Sequence, residues 1–508
     1  MKKNKKFKKK RYIFLYVLVF LLTLSVTSTN WAINKFAFLS FDEAIFQLTS
    51  PIKSAEKSIL TSFITDSLFI AILCSIIIFV ILFLVLDYLS CEKIGFEMRI
   101  YKRKLKFEIK SLFFRILLGL AILGGTIGII YSCLNKIGFI KYLDNQIHDS
   151  LFIEEHYVDP EDTKLTFDKK KKNLIYIYAE SLESTYFSKE LGGETSYNLL
   201  EPITSLTANN INFSDTNKFG GALSVQGTTW TTGAMIAQTA GLPLMVSGEF
   251  ATENKLSSML KGATTLGDIL NENGYNQMYM IGSDRSFGNR GVYFKEHGNY
   301  TIYDYNTAKK NKKISSDYYV WWGYEDSKLF EYAKEEITKL SKKKEPFNFT
   351  MLTTNTHFTD GYLEKNCSTK YNIPYFDAIY CSAGQLNSFI TWITKQPFYE
   401  DTTIVLVGDH VSMQSGIYSE DTERRVYNLF INSSIKEGKF TNREFCTMDL
   451  FPTTLASIGV DIEGDRLGLG TNLFSDKKTL IEEYGYKEFS NEMSRYSKFY
   501  MNKFINGK

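Results

Sequence analysis

Three apolar stretches in the first 140 residues constrain this chain of 508 residues more than any other feature. They cover residues 12–26, 68–89 and 112–134, with small polar residues extending the first to 29. About 20 apolar residues in a helix cross the core of a bilayer, so these stretches predict membrane spans. The basic tail before the first stretch also fits a cleaved signal peptide, but no convincing small-x-small cleavage site follows it. We therefore expect three spans, the first of them an uncleaved anchor.

Basic residues in short flanking segments predict the orientation of such spans, because they favour the cytoplasmic side. Residues 1–11 carry eight basic residues and no acidic one, and residues 91–111 carry seven basic residues. We expect both segments in the cytoplasm and the less basic connection 30–67 outside. Everything after the third span then lies outside the cytosol. The predicted organisation is a membrane anchor over 1–140, a juxtamembrane linker over 141–172 and an extracytoplasmic domain over 173–508.

Charge and cysteine content narrow the choice of partners and compartment. The chain has 59 lysine and arginine residues against 56 aspartate and glutamate residues. Because this balance is nearly even, bulk charge argues against nucleic acid as the main partner. Cys367 and Cys381 flank a short polar loop and can pair in an oxidising compartment, while two buried reduced thiols fit the sequence equally well. The sequence has no CxxC motif, so a zinc ribbon has no support.

Two apolar runs that end in charged residues predict the edge of a sheet. Residues 174–179 form a continuous apolar run that ends at Glu180, as expected for a strand buried on both faces of a parallel sheet. The polar residues from Ser181 onward also fit the start of a solvated helix. Residues 402–410, TTIVLVGDH, end in the same way at Asp409 and His410, a plausible pair of divalent-metal ligands. Since sites form beyond the carboxyl ends of parallel strands, we expect these three side chains together.

A threonine-rich loop, residues 218–244, precedes an alanine-rich segment that Gly241 and Pro243 end. This pattern predicts a threonine at the start of a helix, where free N–H groups favour an anion such as a phosphoryl group. The threonine also fits an ordinary N-cap, which is the commoner role. A hydroxyl needs activation before it can attack, and with no paired histidine nearby a metal is the natural activator.

Further strands and helices alternate through the rest of the chain. Strands are predicted at 275–282, 347–354 and 426–432, and helices at 264–274, 326–343, 375–396 and 447–459. This alternation indicates the α/β class with a mainly parallel sheet. A charged loop over 283–298 contains Arg285, Arg290 and His297, which suit an anionic headgroup or an ordinary solvated loop. His357 follows another strand and is as easily functional as structural.

The order of four motifs resembles a known family. AESLE, the threonine-rich loop, GDH and DLFPTTLASIG resemble the sulfatase-like branch of the alkaline phosphatase superfamily, over residues 173 to about 475. Within that branch the chain looks like the phosphoglycerol transferase and lipoteichoic acid synthase group. The resemblance implies N-terminal transmembrane helices followed by an alkaline-phosphatase-like domain. It also implies a divalent metal, usually manganese, held by Glu180, Thr231, Asp409 and His410. Thr231 matches the nucleophile best, with Thr228, Thr229 and Thr232 as the other candidates.

The resemblance further implies a reaction at the outer face of the bacterial cytoplasmic membrane. The threonine would attack phosphatidylglycerol and release diacylglycerol, and a glycan or glycerol-phosphate hydroxyl would accept the glycerophosphate. Arg290 and His357 match positions that contact glycerophosphate in lipoteichoic acid synthases. Gly288, however, stands where those enzymes have tryptophan, and three predicted spans replace their five. Both departures favour the phosphoglycerol transferases that modify glucans.

Three other functions fit part of this sequence pattern. A phosphoethanolamine transferase shares the fold and the threonine nucleophile, but such enzymes typically carry several disulfides, and the soluble part here has three cysteines. A sulfatase needs a cysteine or serine in a C/S-x-P-x-R setting, which the nucleophile loop lacks. A non-catalytic protein that binds a headgroup or glycan remains, and the complete set of implied metal ligands argues against it. The sequence leaves the acceptor, the metal and the oligomeric state open.

Overall fold

The computed structural model describes residues 2–35, 41, 44–45, 57–101, 103–245, 258–414, 416–419 and 421–508. The chain divides into two compact units. The first combines Met1–Phe41 with Ala55–Lys141, and the second combines Asp42–Ser54 with Tyr142–Lys508.

Long apolar helices and one hairpin build the first unit. Its elements are α1 (Lys2–Lys35), α2 (Lys57–Phe63), α3 (Phe69–Tyr88), β1 (Lys93–Ile100), β2 (Arg103–Lys110) and α4 (Ser111–Lys136), with a π-helical turn at Ile64–Leu68 between α2 and α3. In the described part of the chain, three helical segments are long and apolar enough to cross a membrane, namely Lys10–Lys35, Leu60–Tyr88 and Ser111–Lys136. They cover the three predicted stretches to within one residue.

Contacts of two kinds join α1 to the second apolar segment. The Ser28 and Ser67 hydroxyl oxygens lie 3.0 Å apart, and the ring of Tyr16 packs edge-on against Phe79 with centroids 5.3 Å apart. Small polar side chains of this kind join helices in lipid. The basic connection 91–111 folds as the antiparallel β1–β2 hairpin, and part of the connection 30–67 lies outside the described residues.

The segment predicted as a linker contributes folded elements to the second unit. It contains α5 (Phe139–Ile147), α6 (Phe152–His156) and β3 (Leu165–Phe167). Strand β3 pairs antiparallel with Val460–Ile462. Part of the segment that the sequence predicts as a juxtamembrane linker is therefore packed against the folded domain.

A seven-stranded sheet forms the centre of the second unit. Its strands are β4 (Asn173–Ala179), β5 (Gly221–Ala222), β6 (Asn276–Ile281), β7 (Thr301–Tyr303), β8 (Phe347–Leu352), β9 (Thr402–Gly408) and β10 (Val426–Ile431), in the order β5-β10-β9-β4-β8-β6-β7. Strands β9, β4, β8, β6 and β7 run parallel to one another. Strand β10 runs antiparallel to β9, and β5 runs antiparallel to β10. The predicted α/β class with a mainly parallel sheet is confirmed.

Helices cover both faces of this sheet. They are α7 (Glu201–Ala208), α8 (Thr231–Ala240), α9 (Leu266–Glu272), α10 (Arg290–Glu296), α11 (Tyr305–Lys310), α12 (Asp326–Leu340), α13 (Pro374–Thr394), α14 (Leu450–Ser457), α15 (Leu480–Tyr484), α16 (Tyr486–Ser494) and α17 (Lys498–Tyr500). Ile175 and Ile177 of β4 share one core with Leu329 of α12 and Phe389 of α13. Because side chains alternate along a strand, Tyr176 points to the other face, where its hydroxyl donates to Oε1 of Gln238 in α8.

The strand register explains why the sequence places charged residues where it does. Ala179, the last residue of β4, pairs with Gly408, the last residue of β9, and Tyr178 pairs with Leu352 at the end of β8. The residues that follow each strand therefore emerge side by side at the carboxyl edge of the sheet. The interpretation of residues from Ser181 onward as the start of a helix is wrong, since a turn follows β4.

Two further differences concern segments beside the sheet. Residues 283–298, expected as a loop, contain a 3₁₀ turn at Phe287–Asn289 and helix α10. Cys367 and Cys381 form a disulfide, with their Cα atoms 5.7 Å apart. The other predicted strands and helices are present within a few residues of their expected bounds.

Candidate metal centre

Two carboxylates and one imidazole meet at the carboxyl edge of the sheet. Glu180 follows β4, and Asp409 and His410 follow β9; all three side chains are buried. One potential ligand atom from each lies within 4.8 Å of the others. Nε2 of His410 is 3.6 Å from Oε1 of Glu180 and 3.3 Å from Oδ2 of Asp409. The structure thus brings together the three residues that the strand ends predict.

Thr231 comes to the same place from helix α8. It is the first helical residue, and its Oγ1 lies 3.4 Å from Nε2 of His410. The N-cap position belongs to Trp230, whose side chain makes no capping hydrogen bond. The alternative role of Thr231 as an ordinary N-cap is therefore wrong. Its half-buried hydroxyl stands where free N–H groups of a helix start are available to an anion.

Two of the other candidate threonines have different partners. The Thr228 hydroxyl donates to the Val225 carbonyl and accepts from the Val225 N–H, each at 3.0 Å. The Thr232 hydroxyl donates to the Gly288 carbonyl at 2.9 Å. These three bonds fix the backbone around the start of α8. Of Thr228, Thr231 and Thr232, Thr231 is the one whose hydroxyl lies within hydrogen-bond distance of a cluster residue.

A shell of hydrogen bonds holds the two carboxylates in position. Ser181 donates from its hydroxyl to Oε1 of Glu180 and from its N–H to Oδ1 of Asp409, each at 2.8 Å. The backbone of Ser181 has φ of 55°, a left-handed conformation that is uncommon outside glycine. In this turn Ser181 donates a hydrogen bond to each of the two carboxylates. Such strained positions persist when surrounding contacts determine them, and they concentrate at functional sites.

Backbone and side-chain contacts also orient the histidine and the strand end. Nδ1 of His410 lies 2.8 Å from the Val411 carbonyl, so this nitrogen carries the proton and Nε2 keeps its lone pair for a ligand. The amide of Gln238 donates to the carbonyls of Gly408 and Asp409, at 3.0 and 3.1 Å. Gln238 lies two turns after Thr231 on the same face of α8. One helix thus positions both the hydroxyl and the end of β9.

The electrostatics of the cluster favour a cation. Burial, reinforced by the charge of Glu180, raises the pKa of Asp409 to about 6. Oδ2 of Asp409 is buried and accepts no hydrogen bond within the described part of the chain. Carboxylate oxygens with one imidazole nitrogen suit a divalent metal. A cation at these atoms would supply the missing partner of Oδ2 and offset the repulsion between the carboxylates, so the residues fit the expected metal.

Arg290 and His357 each lie close in sequence to a residue that is bonded to the surroundings of the cluster. The Gly288 carbonyl accepts from Thr232 of α8, and the Thr356 hydroxyl donates to the Glu180 carbonyl. The buried Arg290 donates from Nε to the Phe287 carbonyl at 2.9 Å and stacks over the Phe287 ring at 5.2 Å. The His357 ring centroid is 4.7 Å from that of Trp322, which is 5.3 Å from that of Phe287. Phe287 and Trp322 therefore form an aromatic bridge between the two predicted headgroup contacts.

The remaining charged residues of segment 283–298 are already paired. Arg285 makes two hydrogen bonds to the buried Asp304, at 2.9 and 2.7 Å. Nδ1 of His297 lies 3.0 Å from Oδ2 of Asp268, and Nε2 lies 2.6 Å from the Met259 carbonyl. These partners give both side chains a structural role. Of the three basic residues predicted to suit an anion, Arg290 alone has no carboxylate within ion-pair distance among the described residues.

Sequence reasoning missed several supporting residues. The adjacent pair Trp321 and Trp322 has no strand-end signal, so nothing in the pattern connects it with His357. The spacing of Gln238 from Thr231, by contrast, was a usable signal, because residues seven apart share a helix face. Glu183 of the AESLE motif pairs with Arg424 in place of joining Glu180. That contact joins segments more than 200 residues apart, and no local pattern indicates it.

Comparisons with known proteins show which family this chain is similar to. A sequence profile of the sulfatase family matches residues 172–460. Phosphoglycerol transferase I of Salmonella choleraesuis (strain SC-B67) is 30% identical over 323 residues, which are 61% of this chain and 40% of that protein. The protein of the same name from Escherichia coli (strain 55989 / EAEC) is 30% identical over 320 residues, with the same coverage. The chain thus aligns with well under half the length of these relatives.

One solved structure shows the same fold. The integral membrane protein lipooligosaccharide phosphoethanolamine transferase A from Neisseria meningitidis superposes with a TM-score of 0.50 at 12% identity, over 88% of this chain and 84% of that one. The lipoteichoic acid synthase LtaP from Listeria monocytogenes gives a TM-score of 0.49 at 18% identity, over 64% of this chain and 80% of that one.

Proposed function

This chain belongs to the sulfatase family, and we propose that it is a membrane-associated phosphotransferase that moves glycerophosphate from phosphatidylglycerol to an acceptor hydroxyl. The observation that carries the proposal is the position of Thr231. Its hydroxyl begins helix α8 and lies 3.4 Å from His410 in a buried cluster of potential metal ligands. The name of the phosphoglycerol transferases I supports the choice of donor.

In this proposal Glu180, Asp409, Nε2 of His410 and the Thr231 hydroxyl hold one divalent cation, with Mn²⁺ as the candidate. A bound cation would lower the pKa of the hydroxyl and stabilise charge on the phosphoryl oxygens. Oxygen-rich sites with one histidine accept several metals, so the choice of Mn²⁺ comes from the resemblance to the family.

The first step forms a covalent intermediate on Thr231. Oγ1 attacks the phosphorus of the donor, and the bond between phosphorus and the diacylglycerol oxygen breaks. The proton that Thr231 loses is balanced by the proton that the diacylglycerol oxygen gains. The N–H groups at the start of α8 favour the phosphoryl oxygens. Arg290 is proposed to contact the phosphate and His357 the glycerol headgroup.

The second step regenerates the threonine. An acceptor hydroxyl attacks the phosphorus of glycerophospho-Thr231, and the bond to Oγ1 breaks as the proton of the acceptor passes to the threonine. A glycan or a glycerol-phosphate polymer offers such a hydroxyl.

We place this reaction at the extracytoplasmic face of a bacterial cytoplasmic membrane. Three helices in the described part of the chain can span a membrane, and the basic segments that flank them favour the cytoplasmic side. The Cys367–Cys381 disulfide supports an oxidising compartment.

A phosphoethanolamine transferase is the second candidate. The specific observation in its favour is the fold shared with lipooligosaccharide phosphoethanolamine transferase A over most of both chains. The chemistry at Thr231 would be unchanged, and the headgroup that reaches it would differ. Among its described residues the second unit has one disulfide, which favours the phosphoglycerol donor.

Intact-mass and peptide mass spectrometry of the full chain test both candidates. The protein in detergent is incubated with Mn²⁺ and a short-chain phosphatidylglycerol, without acceptor, and we expect a gain of one glycerophosphate that maps to Thr231. Thr231→Ala should give no adduct, whereas the matched control Thr229→Ala should give the wild-type adduct. An adduct obtained only with phosphatidylethanolamine would transfer the assignment to the second candidate. An adduct on Thr229 would overturn Thr231 as nucleophile, and no adduct with either lipid would overturn covalent transfer.

A further inference from the structure

A basic groove lies at the amino-terminal edge of the central sheet. It is concave, with a volume of about 760 Å³, and is lined where β4 and β8 begin. Two lysine runs contribute to it: Lys169, Lys170 and Lys171 before β4, and Lys342, Lys343 and Lys344 before β8. The candidate metal centre uses none of these residues. We call this surface the lysine groove.

The positive charge of the lysine groove is largely uncompensated. Its acidic lining residues are Glu345 and Asp401, and Asp401 pairs with Lys170. Lys171 donates to the carbonyl of Asn273 at 2.7 Å, and Lys343 donates to the side-chain oxygen of Asn276 at 3.0 Å. Since both partners are neutral, these bonds position the ammonium groups without cancelling their charge. Six lysines against two carboxylates leave an excess of four positive charges.

The groove is remote from the metal centre. Strand β4 has seven residues and separates the two edges, which at about 3.3 Å a residue is roughly 20 Å. A group bound among the lysines therefore cannot react at Thr231. The groove is a separate binding site, and its ligand must be explained by the chemistry of the groove itself.

The arrangement of the lysines indicates the class of ligand. Lysine presents a point charge on a flexible stem and binds phosphate without the fixed geometry of arginine. Two runs of three lysines line the same groove and together offer six positive charges, more than a single phosphate can pair with. Five of the six lysines are exposed, whereas Asn173 is half-buried and Phe347 is buried, so a polymer strand could follow the groove to lining residues that a flat bilayer surface would not contact. We propose that the lysine groove binds a linear polyanion with repeated phosphate groups.

This binding would give the chain a second hold on an anionic polymer. If the transfer proposed for Thr231 adds glycerophosphate to a polymer, the groove would retain the charged product while the next hydroxyl reaches the metal centre. That last step alone rests on the proposed function. Binding of the polyanion itself needs neither the donor lipid nor turnover.

The test measures binding of a fluorescent linear polyphosphate to the full chain in a neutral detergent by fluorescence anisotropy. If six lysines each displace a counterion, the slope of log affinity against log salt is about −4, so affinity falls about 300-fold from roughly 50 to roughly 200 mM salt. Replacing Lys342, Lys343 and Lys344 together by glutamine should halve the slope to about −2. The matched control replaces three exposed lysines elsewhere on the same unit by glutamine, Lys477, Lys478 and Lys487, and should keep the wild-type slope.

Each alternative has its own result. Equal losses in the two triple variants would show that bulk charge binds the polymer, and would overturn the proposal. If inorganic phosphate displaces the fluorescent probe as effectively as unlabelled polyphosphate does at the same concentration of phosphate groups, the groove is a site for single phosphates and the proposed polymer site is wrong. Stronger binding to nanodiscs of phosphatidylglycerol than to polyphosphate, lost in the Lys342–Lys344 variant, would identify a membrane contact. Because Thr231→Ala should bind polyphosphate normally, failure of the proposed catalysis leaves this test intact.

Discussion

Replacing Arg424 by methionine would leave the carboxylate of Glu183 buried without its counter-charge. The Glu183 side chain is fully buried, and the Arg424 side chain is 6% exposed. Arg424 donates from Nε to one carboxylate oxygen at 2.8 Å and from Nη2 to the other. Glu183 also accepts from the Ser412 N–H at 3.2 Å, which fixes the segment just after His410. The substitution thus removes one partner of the ion pair between Arg424 and Glu183, and this pair also supports the segment beside His410.

The size of the effect follows from burial. Breaking a buried ion pair by removing one partner costs about 3–5 kcal/mol, because the remaining charge has no compensation. The 367 residues from Tyr142 to Lys508 have an unfolding entropy of about 0.8 kcal/mol/K near the midpoint. Their ratio predicts that Arg424→Met lowers Tm of the second unit by about 4–6 °C.

Thermal unfolding of the full chain in detergent, followed by circular dichroism, measures this shift. The matched control is Lys313→Met, which breaks a half-exposed pair with Glu335. Exposed pairs contribute about 0–1 kcal/mol, so Tm of the control should fall by about 1 °C or less. A double variant, Arg424→Met with Glu183→Met, should unfold at a higher temperature than Arg424→Met alone, because no charge stays buried.

Two results would refute this reasoning. If Arg424→Met lowers Tm no more than Lys313→Met, the buried charge of Glu183 is compensated by other groups. If the double variant is less stable than Arg424→Met, the loss comes from packing of the arginine stem and the charge is irrelevant.

Two more predictions concern His297 and Trp322. Burial lowers the pKa of His297, but the hydrogen bond and charge of Asp268 and the Met259 carbonyl outweigh it, so the folded-state pKa is raised above 6.5. The protonated ring therefore stabilises the fold fully below that value, and the contribution is lost as pH rises through the folded pKa. His297→Gln should flatten the fall of Tm as pH rises above about 6.5, and an unchanged profile would contradict this. Trp322→Leu removes the ring between Phe287 and His357; KM for the donor should rise about fivefold with little change in kcat, since such aromatic contacts contribute about 1 kcal/mol. A fall in kcat alone would contradict the role in binding.

The sheet and three site residues could be predicted from sequence because each depends on a local pattern. A continuous apolar run such as 174–179 must be covered on both faces, as the strands of a parallel sheet between helix layers are. Parallel strands end at one edge, so Glu180, Asp409 and His410 needed no further information to be placed together. The helix start at Thr231 was visible in the change from glycine and threonine to alanine.

The missing features depend on contacts between distant segments. The apolar composition of β10 fits a parallel or an antiparallel strand, so it does not predict the antiparallel direction. The pairing of β3 with β11 (Val460–Ile462) joins residues nearly 300 positions apart. The sequence predicts a loop in place of helix α10 because charged and polar residues obscure the helical period. Trp322 and Arg424 lie on segments without a motif, so tertiary packing alone brings them to their partners.

The direction of the parallel strands gives this fold two edges of opposite charge. At the carboxyl edge Glu180 and Asp409 are buried side by side, and without a cation they would repel a phosphate group. At the amino edge the lysine groove attracts phosphate whether or not a metal is present. At low salt an anionic polymer would therefore be held by the lysines with or without a metal, whereas its phosphate groups could approach Thr231 only when a cation offsets the two carboxylates. If Thr231 is the nucleophile that we propose, metal binding would control the access of phosphate to it.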